Sequence, residues 1–165
     1  DDNPELYLID PFGAGSPERI TFDPRDDWFP TWSPDSTHIA FTSGRDGGAA
    51  TYTLNISDPD NIVRITDLDG DDTDPDWSPD GSRFAIISSR DGSPALYVMD
   101  MRGGALERIA RINERGGSPA WSADGTRIAF TGVVGKARDI FVADLITGKV
   151  TNITRHTADD GDIDW

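Results

Sequence analysis

An all-β chain, folded as a β-propeller of four-stranded blades, is what three features of this sequence predict. Near-identical phrases recur about every 44 residues. Runs of four to seven β-branched or aromatic residues alternate with turn residues at ~8–12-residue spacing. No window of about eleven residues carries the i, i+3, i+4 apolar spacing of a helix. Four short up-and-down strands in ~40–45 residues is the signature of one propeller blade.

The repeat is carried by Trp32, Trp77, Trp121 and Trp165. Three of them open one phrase: Trp32-Ser33-Pro34-Asp35, Trp77-Ser78-Pro79-Asp80-Gly81 and Trp121-Ser122-Ala123-Asp124-Gly125. Ile39-Ala40-Phe41, Phe84-Ala85-Ile86 and Ile128-Ala129-Phe130 follow, and then Arg45-Asp46-Gly47 and Arg90-Asp91-Gly92. The next phrase is Tyr7-Leu8-Ile9-Asp10, Tyr52-Thr53-Leu54-Asn55, Tyr97-Val98-Met99-Asp100 and Phe141-Val142-Ala143-Asp144. Each unit closes on Arg19-Ile20-Thr21, Arg64-Ile65-Thr66, Arg108-Ile109-Ala110 or Asn152-Ile153-Thr154.

In the second unit the predicted strands are Asp74–Trp77, Arg83–Ser88, Leu96–Asp100 and Leu106–Ala110. They are joined by Ser-Pro-Asp-Gly, Asp91-Gly92 and Arg102-Gly103-Gly104 turns. One such sheet has two apolar faces and cannot cover both, so stacked blades bury them against each other. All four tryptophans and the Ile-Ala-Phe positions are therefore expected as inter-blade core.

Blade limits follow the phrases: 27–70, 71–113 and 114–158 are whole units, and a fourth is split between 1–26 and 159–165. Between Trp165 and Asp1 the pattern lacks only the counterpart of Ser78–Arg90. Three complete repeats plus a split fourth read as part of a larger propeller. The other reading is closure of four units on themselves or on a second copy, and either way a homo-oligomer or contact with missing propeller segments is expected.

Composition narrows function. Thirty acidic and 15 basic residues give a net charge of −15, which disfavours nucleic acid and anionic lipid and favours cations or basic partners. The absence of cysteine excludes disulfides and thiolate chemistry. No apolar run approaches the ~18 residues of a membrane-spanning helix. Asp1-Asp2-Asn3-Pro4 does not read as a signal peptide, so any export signal is expected to have been removed.

The phrases resemble the TolB-type, WD-like propeller repeat, whose pattern Asp71–Ala110 follows almost throughout. That resemblance implies an exported bacterial propeller, periplasmic or secreted, that is not itself an enzyme and binds a protein or peptide. It also implies two alternatives: the gating propeller of a prolyl-oligopeptidase-type serine peptidase whose catalytic domain lies outside this chain, or a carbohydrate-binding or carbohydrate-active propeller. No Gly-x-Ser-x-Gly elbow, zinc motif, Walker loop or Rossmann fingerprint occurs.

Aspartates crowd the approach to Trp32, Trp77 and Trp165, and Glu114 precedes Trp121, on the innermost strand at one mouth of the channel. Two readings stand. A hard cation such as Ca²⁺, which takes six to eight oxygens, has Asp27, Asp72, Asp74 and Asp76 as its expected ligands. Alternatively these carboxylates cap turns and bond backbone amides. His156, near that mouth, is a further candidate, whereas His38 reads as a surface or inter-blade residue. Two loops depart from the repeat: Val133–Arg138, which lacks Arg-Asp-Gly, and the acidic outer turn Asn55–Asn61.

Overall fold

The computed structural model describes residues 3–13, 15–67, 69–101, 106–112, 116–155, 157–161 and 163–165. Among these residues there is no helix, and the strands form three four-stranded antiparallel sheets and one two-stranded sheet. The two-stranded sheet pairs β1 (Tyr7–Leu8) with β2 (Glu18–Arg19). Blade I is β3 (Asp27–Trp32), β4 (His38–Ser43), β5 (Ala50–Asn55) and β6 (Asp58–Arg64). Blade II is β7 (Asp72–Trp77), β8 (Arg83–Ser88), β9 (Ala95–Asp100) and β10 (Glu107–Arg111). Blade III is β11 (Gly117–Trp121), β12 (Arg127–Val134), β13 (Ala137–Asp144) and β14 (Val150–Asn152). In each blade the strands neighbour one another in chain order. The first strands contact each other directly, β3 with β7 and β7 with β11, so they form the inner row.

Three apolar layers fill the gaps between sheets. Leu6 and Ile20 meet Ile39, Phe41, Tyr52 and Leu54 between the small sheet and blade I. Ala40 meets Trp77, Phe84, Ile86 and Tyr97 between blades I and II. Ala85 and Leu96 meet Trp121, Ile128 and Phe130 between blades II and III. The central positions Phe41, Phe84 and Phe130 are at most 1% exposed. Each such side chain contributes roughly 1.5–3 kcal/mol by leaving water. The expectation that all four tryptophans lie in these layers holds for Trp77 and Trp121, which are 8% and 6% exposed, and needs correction for Trp32 and Trp165, at 50% and 51%. Trp77 and Trp121 are covered by a complete preceding sheet. Among the described residues the sheet before Trp32 has two strands and Trp165 has no sheet of its own.

Each inner strand begins one or two residues before the Asp-Pro or equivalent pair and carries a bulge. Registers shift between Trp28 and Thr31, between Thr73 and Asp76, and between Gly117 and Ala120. At each bulge a non-glycine residue takes the left-handed conformation: Phe29 (φ 54°), Asp74 (φ 52°) and Ser118 (φ 51°). Proline follows in all three. The extra residue lets the strand resume its pairing after a proline that cannot donate. That is why β7 starts at Asp72, and not at Asp74 as the sequence suggests.

The two divergent loops resolve simply. Val133–Arg138 continues the strands, with Val134 opposite Ala137 and a two-residue turn at Gly135-Lys136. The outer turn of blade I is confined to Ile56-Ser57, and the acidic Asp58-Pro59-Asp60 already belongs to β6. The predicted Arg102-Gly103-Gly104 turn lies outside the described residues.

The Ser-Pro-Asp-Gly turns repeat down to individual bonds. Ser36, Gly81 and Gly125 donate their amides to the carbonyls of Ser33, Ser78 and Ser122 at 2.8–2.9 Å. Asp80 Oδ1 accepts from Ser78 Oγ (2.7 Å), Ser82 N (3.0 Å) and Ser82 Oγ (2.8 Å). Asp35 and Asp124 do the same with Ser33 and Thr37, and with Ser122 and Thr126. These hydrogen bonds, the serine hydroxyl first, hold Asp35, Asp80 and Asp124 at about 2, below the ordinary 3.8. The last turn residue is left-handed in all three, with φ of 59° at Ser36, 69° at Gly81 and 68° at Gly125.

Blade I thus asks of serine a conformation that glycine adopts without steric cost. Ser36→Gly is expected to raise unfolding free energy by about 0.5–1 kcal/mol, and Gly81→Ala to lower it by about 1 kcal/mol, in urea denaturation. The three carboxylates have lowered folded-state values, so their stabilisation is complete above 3.8 and is lost as pH falls towards about 2. A triple Asp35→Asn/Asp80→Asn/Asp124→Asn variant should be less stable than wild type at pH 7. The two urea midpoints should draw together as pH falls from 3.8 through about 2.

Candidate functional site

By up-and-down topology, the segments leading into the inner strands share one end of the molecule with the turns between second and third strands. There the two Arg-Asp-Gly phrases reveal their role. Arg45 turns inward and places Nη2 3.0 Å from Asp27 Oδ2 and 3.2 Å from Oδ1, while its Nε donates to Ser43 Oγ at 2.9 Å. Arg90 repeats this with Asp72 Oδ2 at 3.0 Å and Ser88 Oγ at 3.1 Å, and adds Asp67 Oδ1 at 2.9 Å. Asp27 and Asp72 are 1% and 0% exposed. Burial pushes the Asp72 carboxyl up, against the pull of Ser88 and Arg90.

The neighbouring aspartates reach outward along the same blades. Asp46 and Asp91 each accept from a third-strand tyrosine, Tyr52 or Tyr97, at 2.7 Å. Each also pairs with a fourth-strand arginine: Asp46 with Arg64 at 3.5 Å, Asp91 with Arg108 at 2.7 Å. One Arg-Asp loop therefore ties the first, third and fourth strands of its blade. Arg45 also lies over the Phe41 and Tyr52 rings, at 5.3 and 4.9 Å from their centroids.

Blade III drops the whole device at once. Gly116 stands at the position of Asp27 and Asp72, and a Cβ there would come 2.4 Å from the Thr131 carbonyl oxygen. Phe141 replaces the tyrosine and Asn152 the arginine. In their place Asp139, 2% exposed and aligned with the buried alanines Ala50 and Ala95, accepts from Asn152 Nδ2 at 2.5 Å. Sequence reasoning noticed the missing Arg-Asp-Gly, but not that its partners change with it. Comparing all three units column by column shows it.

Asp74 and Asp76 serve other purposes. The Asp74 backbone amide donates to Thr42 Oγ1 of blade I at 3.1 Å. Asp76 accepts from Thr31 of blade I (3.3 Å) and from the Trp121 amide of blade III (2.8 Å), clasping three consecutive inner strands. Burial raises both carboxyls above the ordinary carboxylate range. The four expected cation ligands thus have four separate engagements. Among the described residues no three acidic or histidine side chains gather as a metal cradle. Of the other acidic residues, Asp71 accepts the Ala49 amide, while Asp26 and Asp69 are exposed. His156, Glu114 and Asp162 lie outside the described residues. His38, heading β4, has Nδ1 2.7 Å from Thr37 Oγ1 and lines a cleft of about 310 Å³ with Trp77 and Met101 at the opposite end.

A family profile described as the TolB beta propeller domain matches residues 50–163. The chain belongs to the TolB β-propeller family. It is similar to TolB from Acinetobacter baumannii, with 30% identity and a TM-score of 0.81 over 97% of this chain and 40% of that one. For the putative TolB of Agrobacterium tumefaciens the figures are 25% identity and 0.77, over 90% of this chain and 55% of that one. It therefore spans about half or less of the TolB structures it matches. A puromycin-hydrolysing peptidase of Mycobacterium tuberculosis shares the fold at 18% identity and a TM-score of 0.60, over 84% of this chain and 22% of that one. No curated protein matches. Among the described residues no helix is long and apolar enough to cross a membrane.

The ion pairs yield a sharp expectation. Arg90→Ala strands the Asp72 carboxylate in the interior and should lower unfolding free energy by about 3–5 kcal/mol. Arg90→Ala/Asp72→Gly, which copies the glycine of blade III, should recover part of that loss in urea denaturation.

Proposed function

We propose that this chain is a non-catalytic interaction propeller whose acidic inner-strand end binds a basic protein or peptide. The supporting observation is the division of labour among the carboxylates. Those facing inward are engaged within the fold, while Asp26 and Asp69 are exposed beside the inner strands of a chain with net charge −15. Such a field attracts cationic partners and speeds their encounter. The inner-strand bulges carry a different residue in each blade, Phe29, Asp74 and Ser118, of which Phe29 and Ser118 are exposed on an otherwise repeated frame. Differences of this kind suit recognition of one asymmetric partner. The TolB likeness supports an exported, periplasmic setting for this role.

The reading needs no bound Ca²⁺, because arginines already neutralise Asp27 and Asp72. Peptides selected from a random phage-displayed library should be rich in Lys and Arg. Their affinity should fall at least fivefold with Asp26→Asn/Asp69→Asn and weaken with added salt. It should be the same in EGTA as in millimolar Ca²⁺. Selection of neutral or acidic peptides would overturn the basic-partner reading, and Ca²⁺-dependent binding would reinstate a cation at this mouth.

A further inference from the structure

Two clefts of about 310 Å³ each open between blades at the end opposite the acidic mouth, and the repeat makes them counterparts. The first lies where the turn at Pro34-Asp35 meets the turn at Asp80-Gly81. The second lies where Pro79-Asp80 meets Asp124-Gly125. Their frames match: a Cβ on Gly81 would stand 3.8 Å from Pro34 Cδ, and one on Gly125 3.8 Å from Pro79 Cδ. Each frame joins a tryptophan of the later blade to a basic residue heading a second strand of the earlier one. The pairs are Trp77 with His38 and Trp121 with Arg83.

The clefts differ in that basic residue. Arg83 lays its guanidinium over the Trp121 ring, 4.8 Å from the centroid. His38 is shorter and is held on its own blade, with Nδ1 2.7 Å from Thr37 Oγ1 and Nε2 3.5 Å from Asn55 Nδ2. Among the described residues no guanidinium lies over Trp77, which forms the wall of the first cleft together with Met101. The hydroxyls of Ser33 and Ser78 keep the two carboxyls of this cleft, Asp35 and Asp80, ionised at neutral pH. It therefore offers two anions, an indole and a thioether, and lacks the guanidinium that completes its counterpart.

We propose that the cleft between blades I and II receives an arginine side chain of a partner protein. The guanidinium lies over Trp77, as that of Arg83 lies over Trp121, with Asp35 and Asp80 beside it. The methylenes run along Met101. A planar guanidinium stacks on an indole and hydrogen-bonds carboxylates at once, which the point charge of a lysine does not match. A cleft of about 310 Å³ holds one side chain, so an exposed loop or tail of the partner presents the arginine. The cleft and the acidic mouth lie at opposite ends and act independently.

The probe is the capped tripeptide acetyl-Gly-Arg-Gly-amide, titrated against the chain and followed through the indole N–H resonances in nitrogen-15 NMR. The Trp77 resonance should shift saturably. Affinity should be at least fivefold weaker with lysine in the tripeptide and at least tenfold weaker with citrulline, which keeps the shape without the charge. His38→Arg gives blade I a guanidinium of its own and should weaken binding at Trp77 at least tenfold. Arg83→His should add a matching response at Trp121. Each replacement already stands at the aligned position of the neighbouring blade, and should either variant melt early, the citrulline comparison decides on the unaltered chain. The Asp26→Asn/Asp69→Asn variant should bind the tripeptide within twofold of wild type, which separates this cleft from the acidic mouth. Equal binding of the citrulline peptide, indifference to His38→Arg, or a response at Trp121 in place of Trp77 would overturn the proposal. So would tighter binding of free arginine than of the tripeptide, or a dimer in light scattering that His38→Arg dissolves.

Discussion

A thin sheet with apolar residues on both faces is stable only when another sheet covers each face, and the architecture of this chain follows from that need. Large residues of a second strand, such as Phe84 and Ile86, point towards the preceding blade, while Ala85 points towards the following one. This asymmetry leaves a recess for the next tryptophan. Trp77 and Trp121 fill it and bring the inner strands into contact. The polar clasp of Asp76 between Thr31 and Trp121 then joins three blades where their backbones converge.

Within a blade, cohesion has a second source. The Arg-Asp loop gathers an inner-strand carboxylate, a third-strand phenol and a fourth-strand guanidinium around one turn. A buried ion pair of this kind adds little beyond what an apolar replacement would give, but breaking one half of it is costly. Blade III illustrates the alternative, since aspartate, tyrosine and arginine are exchanged together for Gly116, Phe141 and Asn152. The loop between its second and third strands is correspondingly short, and longer strands take its place.

Much of the fold was legible because its signals are local. The Ser-Pro-Asp-Gly phrase encodes its own turn through bonds no more than five residues apart, and β8 runs from Arg83 to Ser88 as its apolar run suggests. The bulge was not legible. Asp72-Thr73-Asp74-Pro75 reads as a loop, yet it pairs on both sides of a left-handed Asp74. The acidic approach to each tryptophan was equally ambiguous. Carboxylates crowded in sequence suit a cation as well as they suit turns, and the arginines that occupy Asp27 and Asp72 lie 18 residues away along the chain.

By itself the sequence determined the repeat, the strand count per unit, the turn chemistry and the sign of the surface field. Each depends on residue types and their spacing over short stretches. Only the tertiary structure decided which tryptophans are covered, which carboxylates are neutralised and which side chains clasp neighbouring blades. Those depend on what lies across a gap between sheets. Trp32 and Trp77 stand in the same phrase, and differ only in whether a second strand is there to meet them.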